Sequence, residues 1–378
     1  MYQDISNDVT EIEVFICYVI VSPIITIAGI VTNVINIVVY SKHGVRESIN
    51  VTFLTLAITD LAGLVCCVWY GIGVNPLLSS RTDLSFNSVE VTYLTGAYPR
   101  ILFTKMTCWI TVYVSLERCY CIVVPLHVKT MITPRRTAWT LAGLYAVGII
   151  TSFPVFYSGS LFLEWKTDPL SNRTVLGMGM STYYAEVATV SVVSVASLFL
   201  TSFVIIILTT VVLAAVLNKK SKWRQRSGNY GKNRSKYIGN RDITLSKTIV
   251  LLSSVLIVSY LPYTVNCLLM AVLDGFDLYG KYNNLFIVMW SISWLFETLN
   301  STSSIFIYYS MSTKYRETFL LLCLRMDGSL HRILNKPWRL PVFNEINDGD
   351  KHVQVLLPAF FLHLTQDKNN VHLPLPAR

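Results

Sequence analysis

Seven apolar segments, separated by shorter polar ones, follow one another along most of the chain. Their bounds are roughly 14–40, 51–74, 92–124, 137–158, 185–217, 245–273 and 284–309. A helix of about 20 apolar residues crosses the ~30 Å hydrocarbon core of a bilayer, where only a helix satisfies its own backbone. The pattern therefore predicts an all-α membrane protein, a seven-transmembrane helix bundle over 14–311. The third and fifth segments exceed a bare span, so we expect them to tilt or project into the cytosol.

The composition agrees with a protein that is solvated by lipid. The chain of 378 residues is 53% hydrophobic and 14% charged, which is too little charge for the surface of a soluble protein of this length. The net charge of +9 alone would fit a nucleic-acid-binding protein, but most of the basic residues lie in the short segments between the apolar ones and in the tail. We therefore expect the lipid bilayer as a partner and no nucleic acid.

The basic residues also predict an orientation. Residues 1–13 hold four acids and no Lys or Arg, whereas the connection 218–242 holds nine Lys or Arg. Basic connections remain on the cytoplasmic side of a membrane. We expect a multi-pass plasma-membrane protein with residues 1–13 as an extracellular N-terminus and with a cytoplasmic C-terminus.

Three features outside the spans have separate interpretations. Residues 312–324 predict a short amphipathic helix that lies on the membrane, with Cys323 as a candidate palmitoylation site. Residues 325–378 are interpreted as a disordered cytoplasmic tail. Asn172 begins an Asn-Arg-Thr sequon in a predicted outside loop and is a candidate glycosylation site.

Polar residues recur inside the predicted spans, where their cost makes them candidates for function. Arg100 and Arg118 are eighteen residues apart, which is five helical turns, so they share one face. The other polar positions singled out are Asn33, Asn36, Asp60, Lys105, Thr107, Thr111, Glu297, Asn300, Ser301, Ser304 and Tyr308. Such residues can form an ion path in a transporter or channel, a switch in a receptor, or ordinary helix–helix hydrogen bonds.

Several short motifs occur in order along the chain. They are Asn33 in GIVTN, Asp60 in LAITD, Glu117–Arg118 in LERC, Pro262 in SYLPY, and Asn300 to Tyr308 in NSTSSIFIYY. With seven spans and an outside N-terminus, they resemble the rhodopsin-like (class A) G-protein-coupled receptors over about residues 40–325 and, more weakly, over the first helix. The stretches GVRESINVTFLTLAITDL and YYSMSTKYRETF are similar to the expanded chemosensory receptors of molluscs and to invertebrate receptors for FMRFamide-like peptides.

The resemblance implies a receptor, with no enzymatic activity, that binds an extracellular ligand and activates a heterotrimeric G protein. It assigns the polar core to Asn33, Asp60, Thr107, Asn300 and Ser304, the activation switch to Glu117, Arg118, Pro262 and Tyr308, and the G-protein contact to Arg118, Pro125 and Leu126. A chemosensory cue is the first expectation for the ligand. A neuropeptide receptor of the same fold is the alternative, and a transporter or channel is a remote one.

The candidate ligand site centres on Arg100, which lies where aminergic members of the family hold an acid. The reversed charge favours a ligand with an anionic group. Lys105, Glu297 and Tyr260 complete the expected site. The competing interpretation is that Glu297 neutralises Arg100 or Lys105 inside the bundle.

One expected feature of the family is missing. Its usual disulfide would join the start of the third helix to the second outside loop, but the first position holds Tyr93 and the loop 159–184 contains no Cys. We therefore expect this loop to be held in another way.

Other function classes lack the residues they need. Residues 284–309 contain no Lys that could hold retinal as a Schiff base. The six His lie outside the spans, and the cysteines show no metal-ligand spacing, so neither an enzyme nor a cofactor is expected.

Overall fold

The computed structural model describes residues 6–123, 131–152, 161–167, 173–180, 184–226, 233–276 and 280–326. The first and third helices are composite. α1 comprises the α-helix Asn7–Val14, the π-helix Phe15–Val21 and the α-helix Ser22–His43; α3 comprises Ser88–Thr92, the π-helix Tyr93–Ala97 and Tyr98–Val123. The other helices are α2 (Ser48–Val74), α4 (Pro134–Ser152), α5 (Tyr184–Arg226), α6 (Asn233–Val272), α7 (Asn283–Met311) and α8 (Thr313–Met326), with a short helix at Pro76–Ser79. Strands β1 (Leu161–Thr167) and β2 (Thr174–Met180) form an antiparallel hairpin.

The long helices form one bundle with α3 inside it. α3 contacts α2, α4, α5 and α6, while α7 contacts α1, α2 and α6. Aromatic and aliphatic side chains from α1, α2, α3, α5, α6, α7 and α8 fill the core. The opposite faces carry apolar side chains such as Ile24, Leu208 and Val258, which are 60–67% exposed. An apolar sheath of this kind is the surface that a bilayer covers.

Four helical stretches are long and apolar enough, by length and composition alone, to cross a membrane. Within the described residues they are Asp8–His43, Ser48–Val74, Ser197–Lys219 and Ile243–Met270. α3 contains the charged residues Arg100, Lys105, Glu117 and Arg118, which lower its hydropathy. Over the residues that the structure describes, the seven predicted apolar segments nevertheless lie in long helices; residues 153–158 of the fourth segment are outside that part.

Both π-helical segments end two residues before a proline, which is the second residue of the next α-helix. Ser22 donates its N–H to the carbonyl of Cys17, and Tyr98 donates to the carbonyl of Tyr93, both five residues back. Pro23 and Pro99 follow, and neither has an N–H for the ordinary bond four residues back. A π turn is one way to accommodate this missing donor. In α3 it fixes the rotation of the helix just before Arg100.

Helix ends differ slightly from those predicted. α1 is already helical at Asn7, inside the segment expected to precede the first span. A helix also occurs at Thr313–Met326, where the Ser312 hydroxyl accepts from the N–H of Tyr315 at 3.2 Å and caps its first turn. That this helix lies on a membrane surface stays a prediction.

Candidate functional site

The bundle has two ends. The hairpin end is the end at which β1 and β2 lie and α3 begins; the Arg118 end is the opposite one, where α3 reaches Arg118 and Val123. The sequence-predicted site residues are divided between these ends and a polar layer between them.

Arg100 of α3 and Glu297 of α7 form a buried ion pair near the hairpin end. The Arg100 Nη2 and Glu297 Oε2 atoms are 3.5 Å apart, and the two side chains are only 4% and 8% exposed. Thr104, one helical turn after Arg100, donates its hydroxyl to the same Glu297 oxygen at 3.0 Å. The competing interpretation predicted such a pair, and the structure contains it.

The Arg100 guanidinium has further partners around it. It donates to the Thr298 hydroxyl at 3.2 Å and to the Trp294 carbonyl at 3.5 Å, and it contacts the Cys67 sulfur. Its central carbon lies 4.2 Å from the centroid of the Trp294 ring, a cation–π distance. The Arg100 Nε has no hydrogen-bond partner among the residues that the structure describes. Groups of the protein itself thus bind most, but not all, of the hydrogen-bond donors of the Arg100 guanidinium.

Aromatic rings pack around Trp294 beside the ion pair. Tyr18 of α1 lies 5.5 Å from Trp294, Tyr70 of α2 lies 5.3 Å from it, and the two tyrosines are 5.8 Å apart, all between ring centroids. At the same end Ser291 donates to a carboxylate oxygen of Glu13 at 2.5 Å and ties α1 to α7. The ring cluster is therefore shared by three helices next to Arg100.

Lys105 does not join this site, contrary to the expectation from sequence. Its ammonium donates to the Gly148 carbonyl at 3.1 Å and to the hydroxyls of Thr151 and Ser152 at 3.0 and 2.6 Å, all on α4. The reason is helical geometry, because five residues after Arg100 correspond to about 140° around the axis. Lys105 therefore lies on a different face of α3.

Tyr260 of α6 borders the ion pair from the other side. Its hydroxyl donates to the carbonyl of Thr104 at 3.4 Å, and its ring stacks on Phe199 with centroids 5.5 Å apart. Pro262 lies two residues further, inside α6. A proline there removes one backbone hydrogen bond and permits a bend.

A polar layer lies between the two ends and surrounds Asp60. One Asp60 oxygen accepts hydroxyl bonds from Thr107 at 2.7 Å and from Ser301 at 3.2 Å. An adjoining cavity of about 20 Å³ is lined by Asp60, Thr107, Asn300 and Ser304, among others. This volume suffices for one water molecule between polar groups.

The first helix is joined to the seventh in the same layer. The Asn33 amide donates to the carbonyls of Gly29 and Ser301 at 2.9 and 2.8 Å. The Asn36 amide donates to the Ser304 hydroxyl at 3.1 Å. The predicted polar-core residues are thus brought together, and their role in signalling stays a prediction.

At the Arg118 end, Glu117 and Arg118 form an ion pair. The Arg118 Nη2 and Glu117 Oε1 atoms are 2.6 Å apart, with side-chain exposures of 10% and 1%. One turn earlier, the hydroxyls of Ser115 on α3 and Ser253 on α6 are 3.0 Å apart. The predicted G-protein contacts Pro125 and Leu126 lie outside the described residues.

Tyr308 of α7 is enclosed by rings of three other helices. Its centroid lies 5.2 Å from Tyr40, 4.9 Å from Phe53 and 5.6 Å from Tyr315. Tyr315 of α8 also donates its hydroxyl to the Asn36 side-chain oxygen at 2.5 Å. Tyr308 is only 1% exposed, so any movement of it must open this ring cluster.

Two predicted modification sites differ in what the structure describes. Cys323 lies partly exposed on α8, and its acylation stays a prediction. Asn172 lies outside the described residues.

Sequence reasoning missed the uncharged partners of the ion pair. Thr104 was detectable, since it lies one turn after Arg100 on the same face. Trp294, Thr298 and Cys67 carried no comparable signal, because their proximity to Arg100 depends on how α2, α3 and α7 pack.

Comparisons with known proteins identify the class. The family model described as 7 transmembrane receptor (rhodopsin family) matches residues 32–308. A Caenorhabditis elegans protein named as a probable G-protein coupled receptor is 24% identical over 328 residues, covering 82% of this chain and 70% of that protein. The C. elegans FMRFamide peptide receptor frpr-18 is also 24% identical, over 79% of this chain and 67% of its own length. Rat galanin receptor type 2 is 28% identical over 40% of this chain and 38% of its own length.

The chain therefore belongs to the rhodopsin family of seven-transmembrane receptors. It is a G-protein-coupled receptor and not an enzyme, with an extracellular ligand and a multi-pass location in the plasma membrane. The relatives' names do not settle whether this ligand is a chemosensory cue or a peptide.

Proposed function

We propose that this receptor responds to an extracellular peptide that binds at the hairpin end and that it activates a heterotrimeric G protein at the Arg118 end. The N-terminus is then extracellular, as the acids of residues 1–13 and the basic connection 218–242 favour. The names of two relatives, an FMRFamide peptide receptor and a galanin receptor, support a peptide over a small chemosensory cue.

The observation that carries the proposal is that the Arg100 site is already filled by side chains of the protein itself. Arg100 is already paired with Glu297 and covered by Trp294, so a small acidic ligand would have to displace an existing carboxylate. In the hairpin itself, by contrast, apolar side chains are exposed to solvent. Phe162, Leu163 and Trp165 of β1 are 38–64% exposed. Exposed rings and aliphatic groups of this kind suit the side chains of a peptide.

The hairpin also offers backbone groups. Among the described residues, β1 pairs only with β2, so its other edge is open to a further strand. An extended peptide can add to such an edge with main-chain hydrogen bonds, while pockets read its side chains. Trp165 lines a recess of about 270 Å³ with Trp69, Phe86 and Leu176, which could receive one apolar side chain.

Signalling then follows as a shift between two packings of the bundle. At the hairpin end the ligand would act on the α3–α7 link made by Arg100 and Glu297. At the other end the Glu117–Arg118 pair would open, α6 would bend at Pro262, and Tyr308 would leave its ring cluster. Arg118, with Pro125 and Leu126, would contact the G protein.

A chemosensory receptor for small acids is the second candidate. It is favoured by one observation, the buried Arg100 Nε that lacks a partner among the described residues. A carboxylate that displaced Glu297 could bind that donor as well.

The test is a calcium and cAMP assay in cells that express the receptor with a promiscuous G protein. One panel contains short amidated peptides, and the other contains small carboxylates and amino acids. The control is Arg118→Ala at matched surface expression, in which any receptor-specific response should disappear. A peptide response at nanomolar concentration supports the proposal. A response confined to small acids, and lost in Arg100→Met, would replace it with the chemosensory function.

A further inference from the structure

The hairpin is held to the start of α3 without any cysteine. The loop 159–184 and the stretch 76–107 both lack Cys, so no disulfide can connect them. Yet β2 contacts Ser88–Thr92, the first helical segment of α3. Noncovalent bonds must therefore make this attachment.

Backbone hydrogen bonds supply one part of it. The N–H of Asn87 donates to the Leu176 carbonyl at 2.8 Å, and the N–H of Leu176 donates to the Ser85 carbonyl at 2.8 Å. The segment before α3 thus adds a short strand-like contact to the edge of β2, with Phe86 opposite Leu176. This contact fixes the register but carries no charge.

Glu90 supplies the other part and reaches both strands. Its two carboxylate oxygens lie 2.9 and 2.8 Å from the Lys166 ammonium of β1. One of them also accepts the backbone N–H of Met178 in β2 at 2.7 Å. Asn87 caps the same helix and accepts the Glu90 N–H at 3.2 Å, which holds the backbone of Glu90 in place.

Gly177 is the position that lets the carboxylate approach the sheet. A Cβ added to Gly177 would lie 2.5 Å from a Glu90 oxygen and 2.5 Å from the Lys166 Cε. Any side chain there would push apart the two charged groups. Gly177 does not adopt a positive φ, so the backbone conformation does not require glycine here. The absence of a side chain instead leaves room for the ion pair of Glu90 and Lys166.

We propose that Glu90 is a positioning residue that anchors the hairpin over the bundle by its bonds to Lys166 and Met178, in the role that a disulfide could otherwise fill. Ionised partners make such hydrogen bonds stronger than neutral ones. The side chains of Lys166 and Glu90 are 36% and 27% exposed, so salt screens the anchor in a way that it cannot screen a covalent bond. The hairpin's attachment should accordingly respond to salt and ignore thiol reductants.

The first test is hydrogen–deuterium exchange on the purified full-length receptor in lipid nanodiscs. In Glu90→Ala, the amides of Thr174–Met180 should exchange roughly tenfold faster or more, the loss expected for one charge-assisted anchor. Glu90→Gln keeps an acceptor for Met178 but loses the ion pair, so it should give a smaller increase, matched by Lys166→Met. Dithiothreitol should change nothing.

Asp83→Asn is the matched control. Asp83 forms an ion pair at 2.6 Å with Arg81, in the connection between α2 and α3. The hydrogen bonds that Arg81 donates hold the pKa of the Asp83 carboxyl below its usual range. Both side chains are more than half exposed and bond to each other within that connection. Removing this charge should change exchange in the hairpin much less than Glu90→Ala does, because Asp83 acts on the hairpin through its attraction to Arg173, the residue before β2, and not through a bond to either strand.

A third variant tests the match with Gly177. Gly177→Ala should accelerate exchange in the wild-type background but add little to Glu90→Ala, in which the obstructed oxygen is gone and the Lys166 side chain, no longer paired with Glu90, can turn away from the new methyl group. Unchanged hairpin exchange in Glu90→Ala would overturn the proposal, as would equal effects of Glu90→Ala and Asp83→Asn. Hydrogen–deuterium exchange needs no ligand, so its outcome does not depend on whether the peptide assay succeeds. The expected functional consequence is weaker agonist potency in Glu90→Ala, and this consequence rests on the proposed function.

Discussion

Arg100 of α3 and Glu297 of α7 place opposite charges 3.5 Å apart in the buried part of the hairpin end. A buried ion pair adds little stability compared with apolar side chains of the same size, because both charges must be removed from water. Breaking it is costly, since one charge then remains without its partner. The pair is therefore suited to holding one packing of α3 against α7.

The first prediction concerns this pair. Arg100→Met and Glu297→Met should each destabilise the receptor by about 3–5 kcal/mol, whereas the double variant should lose less than either. Thermal unfolding of purified receptor in detergent measures all three. Equal and additive losses would show that the two charges do not depend on each other.

Lys105 should behave differently from Arg100. Its ammonium is buried against neutral acceptors on α4, including Gly148 and Ser152. We expect Lys105→Met to leave agonist potency unchanged, because the side chain faces away from Glu297. Concentration–response curves at matched surface expression provide the measurement. A loss of potency as large as in Arg100→Met would return Lys105 to the ligand site.

The close approach of α1 and α7 at Gly29 gives a stability prediction. An added Cβ would lie 2.5 Å from the Thr302 hydroxyl oxygen and 2.8 Å from a Leu64 methyl carbon. Gly29→Ala should therefore cost about 1–3 kcal/mol by overpacking. Thr302→Ala in the same chain should recover part of the melting temperature. If the melting temperature does not recover, the strain arises from the contact with Leu64 instead.

Tyr308 allows packing and signalling to be separated. Tyr308→Ala should lose about 3–5 kcal/mol, because it leaves a cavity between Tyr40, Phe53 and Tyr315. Tyr308→Phe keeps these ring contacts and should melt like the wild type, but it should activate G protein less if the hydroxyl acts in the open state. Agonist-stimulated nucleotide exchange is the readout.

Tyr309→Phe is the control for that experiment, since the ring contact that the structure gives Tyr309 is with Phe319 and not with Tyr40, Phe53 or Tyr315. Full activity of both phenylalanine variants would mean that the Tyr308 hydroxyl has no part in activation.

Much of the bundle was predictable from sequence because each long helix is encoded by a contiguous apolar segment of its own. The apolar segments predicted the seven long helices, and the family resemblance assigned Thr107 and Asp60 to one polar core, where they form a hydrogen bond. The pair of Arg100 with Glu297 was one of two open interpretations. A one-dimensional pattern shows that two charges are buried but not whether they face each other.

The hairpin and the Glu90 anchor were not predictable in the same way. The segment Leu161–Thr167 has no strict alternation of apolar and polar residues, and its pairing depends on contacts distant in sequence. The missing cysteines indicated only that the loop is held differently. Glu90 looked like one more acid in an outside connection.

The π-helical turn before Pro99 changes how positions can be compared between receptors. A π turn holds one more residue than an α turn, so every side chain that precedes it is displaced by one place along the helix. Counting back 25 residues from Arg118 arrives at Tyr93, whereas the equivalent place in space is that of its neighbour Thr92. Neither is a cysteine, so the loop still needs its noncovalent anchor. Sequence alignments of the first turns of α3 with receptors that lack this turn require a single-residue gap, which belongs between Tyr93 and Pro99.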